Sequence, residues 1–342
     1  MNTKTELRLI ATATTITALL VTTLFSGSAQ AAKSAGSSNG SSSSSATSTA
    51  AFLTSSFTGG QFIAGFTPGV ADAGFTLDGL LQRKATGQKS AQLSKAIRYN
   101  LLNAEVVGSA ESRTGYLYTS GTKALKPGLA GKFLFTSAAL KAKNAPLRTG
   151  VVAELRSKIS ESGFISASNV SGIDHSWVVL GLATNRSLSM ARAVAYRLTA
   201  LQHADGGFGP NTDGDFTISG TDSTGLALQA FAIAKNNGSS KHNRMITKAI
   251  AKAVKYLNTS AAGTAKDHWD AWGDYDINGS AYAIMGLKAA GQNVSGYVAW
   301  LKTKVSSDGG LMVPWSAPAG DVWATAQGYV ALRGSDYVSL VK

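Results

Sequence analysis

Residues Leu198–Ala232 read LTALQHADGGFGPNTDGDFTISGTDSTGLALQAFA. Three pieces follow one another in it. LTALQ closes an amphipathic helix. ADGGFG turns on glycines, which supply positive φ, and carries an aromatic placed to fold back onto a core. From Gly220 onward GTDSTGLALQAFAIAKN is apolar or small on nearly every side. A helix of that composition has no polar face to give to water, so it is expected to be buried all round.

The same order recurs, weakly but continuously, along the chain. Helices of the buried kind are expected in GVADAGFTLDGLLQRKA, GLAGKFLFTSAALKAK, GIDHSWVVLGLATN, GTDSTGLALQAFAIAKN, DINGSAYAIMGLKAAG and GDVWATAQGYVALR. After each of the first five comes a short turn and then an amphipathic helix bearing lysine or arginine: SAQLSKAIRYNLLN, LRTGVVAELRSKI, SMARAVAYRLTALQ, MITKAIAKAVKYL and SGYVAWLKTKV. The first set predicts an inner layer and the second an outer one. Glycine turns recur as TGGQF at Thr58, RTGYL at Arg113, ESGFI at Glu161 and SDGGLM at Ser307, each expected to send its aromatic or leucine into the core. A sixth outer helix is missing after the last inner one. The amphipathic segment STAAFLTSSF, residues 48–57, fills that gap if it docks beside the last inner helix. The predicted fold class is therefore all-α, an α/α toroid of six inner and six outer helices. An open right-handed solenoid of hairpins is the alternative on the same repeat logic.

Through Leu198–Ala232, and through GDVWATAQGYVAL at Gly320–Leu332, the chain resembles the terpenoid cyclase and protein prenyltransferase superfamily, in particular its squalene cyclase-like, prenyltransferase and squalene-oxidase repeat proteins. The resemblance implies the α/α toroid. The superfamily's catalytic signatures are mostly missing. Where squalene cyclases carry D-x-D-D to protonate an alkene, the nearest stretch is DGDF, Asp213–Phe216, with phenylalanine in the last place. Zinc-thiolate prenyl transfer and internal thioesters both need cysteine, and the chain has none. DHWD, Asp267–Asp270, lacks the third acid of a magnesium-binding D-D-x-x-D motif. DGDFTISGTD, Asp213–Asp222, has acids spaced loosely for calcium without a full ligand set. No metal and no cofactor is expected.

The ends and the charge complete the reading. Lys4 and Arg8 precede an apolar run, Leu9–Phe25, that ends in SGSAQA, so residues 1–31 read as a cleaved signal peptide. Residues 32–50 are small and polar and read as a flexible spacer, leaving 51–342 as the toroid domain, close to the upper size for one core. No other stretch is apolar enough to span a bilayer, which predicts a secreted, extracellular protein without an integral membrane anchor. The net charge is +13. Its cations sit on helix patterns and its acids between them, so the basic faces read as solvated surface or as a patch for cell-envelope polymer, with no nucleic-acid partner expected.

The densest polar cluster is DHWDAWGDYD, which contributes Asp267, His268, Trp269, Asp270, Trp272, Asp274, Tyr275 and Asp276 as candidate ligand-binding residues. Asp174 with His175, Asp213 with Asp215 and Asp222, and Asp321 with Trp315 join them near the starts of other inner helices. Aspartate in that position caps a helix, and several such starts would converge at one mouth of the ring. Asp72, Asp174, Asp222, Asp276 and Asp321 are expected as caps. Tryptophan there offers a flat face to a sugar or an apolar ligand. A polysaccharide-active site would need convergent carboxyls or a tyrosine with a histidine, and none of these groups has a diagnostic spacing. The expected function is binding of a small-molecule, glycan or cell-wall ligand at the mouth or in the cavity without catalysis. The alternatives are a toroid-type enzyme, polysaccharide-active or terpene cyclase-like, using the mouth aspartates, and a structural or adhesive surface protein.

Overall fold

The computed structural model describes residues 43–102, 115–119, 124–167, 170–209, 218–235 and 240–342, the side chains of 43–47 excepted. The segment read as a signal peptide and the first part of the spacer lie outside these residues. The compact unit is Gly40–Lys342. It contains α1 (Ser43–Ser55), α2 (Ala73–Ala85), α3 (Ala91–Leu101), α4 (Pro127–Ala139), α5 (Ala145–Ser157), α6 (Gly172–Thr184), α7 (Leu188–Leu198), α8 (Thr221–Ala234), α9 (Lys241–Ser260), α10 (Ile277–Ala289), α11 (Ser295–Thr303) and α12 (Val322–Leu332).

The even-numbered helices form the inner ring, each packed on the next, and α12 returns to pack on α2. The odd-numbered helices lie outside them. The ring is thus a closed α/α toroid of six inner and six outer helices, and an open solenoid is ruled out. Its closing outer helix is α1, which packs on both α12 and α2, as the segment 48–57 predicted. One boundary moves. α1 begins at Ser43, inside the stretch read as spacer, because its second half has a face to bury: Thr49, Ala50 and Leu53 are all in the core.

Small residues let the inner helices approach closely. A Cβ on Gly131 of α4 would land inside contact distance of the Trp177 carbonyl on α6, and one on Gly225 of α8 would strike the Tyr282 carbonyl on α10. Gly150, exposed on α5, has open space around it. Gly131→Ala is therefore expected to destabilise by about 1–3 kcal/mol through overpacking, and Gly150→Ala to stabilise by about 0.5–1 kcal/mol through helix propensity. Urea denaturation of the two variants reads the opposite signs.

Four of the six loops from an outer to an inner helix are tied down by the same device. A hydroxyl in the first turn of the inner helix accepts the backbone N–H of the residue that folds back into the core: Thr76 from Ile63 at 3.0 Å, Thr224 from Phe208 at 2.9 Å, Ser280 from Trp269 at 3.1 Å and Thr325 from Leu311 at 2.8 Å. These bonds pin the loop by satisfying a buried donor. They also correct the expected fold-back residues. In TGGQF and ESGFI the next residue, Ile63 or Ile165, is the buried one, while Phe164 points out. The segment there is extended, so a shift of one residue exchanges its inner and outer faces.

Candidate ligand-binding mouth

All the loops just described lie at the end of the ring where the inner helices start. Two aspartates there cap as expected: Asp72 accepts the Phe75 N–H at 2.8 Å and Asp321 the Ala324 N–H at 2.7 Å. Asp174 is the second member of a capping box, taking the Ser171 N–H at 2.9 Å while Ser171 Oγ takes the Asp174 N–H at 3.1 Å. The other two depart from expectation. Asp222 lies one residue inside α8, behind an N-cap of Gly220, and accepts from Ser223 N at 2.6 Å. Asp276 holds the N-cap position of α10 without a side-chain cap bond. Burial raises its carboxyl above the ordinary range, the Asp222 charge adds to that, and the backbone N–H groups of Gly279 and Asn278 oppose it.

His175 is buried, with Nδ1 2.9 Å from the Ser171 carbonyl, and desolvation lowers its pKa. Its partner is its own helix, so it is a structural histidine. Asp213 and Asp215 lie outside the described residues.

The cluster at Asp267–Asp276 divides in two. Trp269 is 1% exposed, stacks on Tyr297, and its indole N–H donates to the Leu257 carbonyl at 3.0 Å. It occupies the fold-back place and belongs to the core, which takes it out of the ligand-binding set. The surplus around it forms a surface platform. His268 has Nδ1 2.7 Å from Asp267 Oδ1 and Nε2 3.2 Å from Asp270 Oδ1, and its ring stacks on Trp300 at 4.7 Å with 6° between the planes. Lys304 Nζ lies 3.9 Å from the centre of the Tyr275 ring and 5.3 Å from that of Trp300. Strands β1 (Asp270–Ala271) and β2 (Asp274–Tyr275) pair antiparallel above this stack, with Asp274 exposed beside the turn. The two-residue turn between them is Trp272–Gly273, both with positive φ, at 59° and 90°. Asparagine or glycine normally occupies such a turn. A tryptophan there is strained, and Trp272 is 101% exposed, so no packing among the described residues offsets the strain.

Trp315 is also exposed, on the loop before α12. Trp323 is not free in this way. Its indole donates to the Ala64 carbonyl at 2.9 Å and its ring stacks on Phe75 at 5.5 Å, sealing the last repeat against the first. Of the eight exposed large hydrophobic residues among those described, six stand on loops leading into inner helices: Phe66 and Val70, Phe164, Ile218, Trp272 and Trp315. They form an apolar rim at the mouth.

Below the rim, the sixth residues of the inner helices face one another, and here the structure holds what the sequence reading missed. Asp78 of α2 is wholly buried and pairs with Lys132 of α4 at 2.7 Å. Gln327 of α12 donates to it at 2.9 Å and Tyr282 of α10 at 3.3 Å, while Asn278 donates to Gln327. Lys132 also lies 4.9 Å over the Trp177 ring of α6. Burial raises the Asp78 carboxyl, opposed by the Lys132 ammonium and by its hydrogen-bond donors. From the far end of the ring Tyr337 fills the centre. It is fully buried, touches the rings of Phe135, Trp177 and Tyr282, and its hydroxyl accepts from Gln82 Nε2 at 3.0 Å. A lone acid and a lone lysine within the apolar runs TLDGLL and GKFLF were the available signal for the ion pair.

No protein-family model and no curated protein matches the chain. Solved structures do, at the level of fold. The type II terpene cyclase MstE from Scytonema superposes with a TM-score of 0.59 at 14% identity, covering 85% of this chain and 96% of that one. Unsaturated glucuronyl hydrolase from Bacillus sp. GL1 gives 0.56 at 14% identity, covering 84% and 94%. A protein from Actinoplanes gives 0.61 at 14% identity, covering 85% and 98%. The chain has the terpenoid cyclase-like toroid fold that such proteins share.

Proposed function

We propose that this terpenoid cyclase-like toroid is an exported ligand-binding protein that takes a cell-envelope glycan at its mouth and performs no chemistry on it. The rim carries the proposal: the exposed apolar side chains are gathered on one end of the ring, and Trp272 holds a strained, solvated position that stability alone does not favour. Flat indole faces flanked by carboxylates suit a sugar, whose apolar ring face stacks while its hydroxyls donate to Asp267, Asp270 or Asp274. The acids below the rim favour binding over catalysis. Asp72, Asp174, Asp222 and Asp321 are engaged at helix starts, and Asp78 is held by Lys132 and two further donors. A catalytic reading rests on Asp276, whose carboxyl burial raises and the nearby Asp222 charge raises further.

The test is titration of the mature protein with envelope oligosaccharides, using Trp272→Ala with Trp315→Ala. Both side chains are exposed, so the unfolding midpoint is expected to stay within about 0.5 kcal/mol of wild type while affinity falls at least tenfold. Unchanged affinity in the double variant refutes the rim as the site. Turnover of the oligosaccharide that disappears in Asp222→Asn or Asp276→Asn moves the reading to the enzyme.

A further inference from the structure

The acids of this protein are sorted by end. Apart from the interior Asp78, Glu154 on α5 and Asp336, every described acid lies in a loop leading into an inner helix or at that helix's start. At the opposite end the last turns of the inner helices and the turns that follow them carry Lys84, Lys89, Lys141, Lys143, Arg186 and Lys235. The one described acid at that end, Asp336, is buried and accepts from Ser339 N at 2.8 Å within its own turn. A concave surface opens there between α5 and the end of α6 and runs along α5 toward its last turn, made of two adjoining grooves of about 610 and 770 Å³ that share Arg148 and Thr184. Lys141, Lys143, Arg148, Arg156, Arg186 and Lys342 line them, with no acidic and no aromatic residue among the lining.

Three independent features mark these grooves as a built anion site. First, Lys141 and Arg186 have φ of 51° and 57°, at the position just past α4 and α6 where Gly87, Gly291 and Gly334 end α2, α10 and α12. A left-handed side chain costs about 1–2 kcal/mol, and here that cost falls on cations at a groove. Second, α7 starts beside the groove edge at Leu188, and its N-cap, Ser187, which lines the groove, makes no side-chain cap bond. The first N–H groups of α7 are left for an anion. Third, Arg148 Nε is buried and has no hydrogen-bond partner among the described residues.

We infer that this end of the toroid binds a linear phosphodiester polymer, laid through the two grooves from Lys342 past Arg148 to Arg156. Arginine forks and helix N-termini both match a tetrahedral oxyanion. Arg148 and Arg156 stand on one side of α5, about 12 Å apart at 1.5 Å per residue, so a chain of repeating charges meets them in turn. The absence of aromatic lining removes the platforms on which nucleic-acid bases stack. Large apolar side chains to enter a bilayer are gathered at the other end, so a lipid surface is disfavoured too.

The decisive variant is Lys141→Gly with Arg186→Gly in the mature protein, because glycine suits both backbone positions. With a soluble glycerol-phosphate polymer as probe, affinity is expected to fall at least tenfold and the slope of log affinity against log salt to shrink by about two. The unfolding midpoint is expected to hold or rise, and Trp272→Ala is expected to leave polymer affinity unchanged. The inference is overturned if the glycine variant binds the polymer like wild type. It is equally overturned if polygalacturonate, single-stranded DNA or phosphatidylglycerol vesicles bind the wild type as tightly as the polymer does.

Discussion

Asp78→Ala is expected to lower the unfolding free energy by about 3–5 kcal/mol, the cost of leaving a buried charge without its partner. Lys132 would keep the Trp177 face at 4.9 Å but lose its counter-ion at 2.7 Å, and Gln327 would lose the acceptor that orients it. The pair joins α2 to α4, Gln327 brings in α12, and Tyr282 brings in α10, so one carboxylate ties four of the six inner helices together. Adding Lys132→Met removes the stranded ammonium, and the double variant should recover to within about 1–2 kcal/mol of wild type, since buried pairs exchange for apolar residues at little net cost. Urea denaturation of both singles and the double provides the cycle. Additive losses would mean that the two residues are not coupled.

Tyr337→Ala should be comparably damaging, at about 3–5 kcal/mol for removing a large buried ring. The site cannot collapse around the gap, because the ring walls on every side are inner helices already in close contact. Tyr337→Phe separates packing from polarity. It keeps the ring contacts with Phe135, Trp177 and Tyr282 and loses the hydroxyl's bonds with Gln82 and Tyr282, so about 1–2 kcal/mol is expected. If the alanine variant costs no more than the phenylalanine one, the tail is not what fills the centre.

Much of this architecture was legible in the chain because inner and outer helices differ in kind. A run such as GSAYAIMGLKA has no face for water, whereas KHNRMITKAIAKAVKYL has one broad basic face. Ring closure was legible too, since an unpaired sixth inner helix and an unpaired leading segment complete one another. What escaped depends on pairings between distant positions. Nothing local to Asp78 or Lys132 says that they meet, and the tail after α12 has no periodicity to show that Tyr337 turns inward. At the mouth, local geometry decided the outcome: Asp222, two residues past its N-cap, and Asp276, at its N-cap, make no cap bond, and Trp269 and Trp272, three residues apart, are core and surface.

The closure between α12 and α2 gives the molecule a clasp. Around most of the circle neighbouring inner helices are linked through the chain, but at this one joint they are held only by side chains reaching across: Trp323 to Ala64, Gln327 to Asp78, Gln82 to the Val330 N–H, and Gln82 to Tyr337, 248 to 259 residues apart in sequence. Contacts of such separation are made late and raise the barrier to folding. During synthesis the ring therefore cannot close until its last inner helix has been made, and the mouth, whose rim straddles the clasp at Phe66 and Trp315, is complete only once the latch shuts.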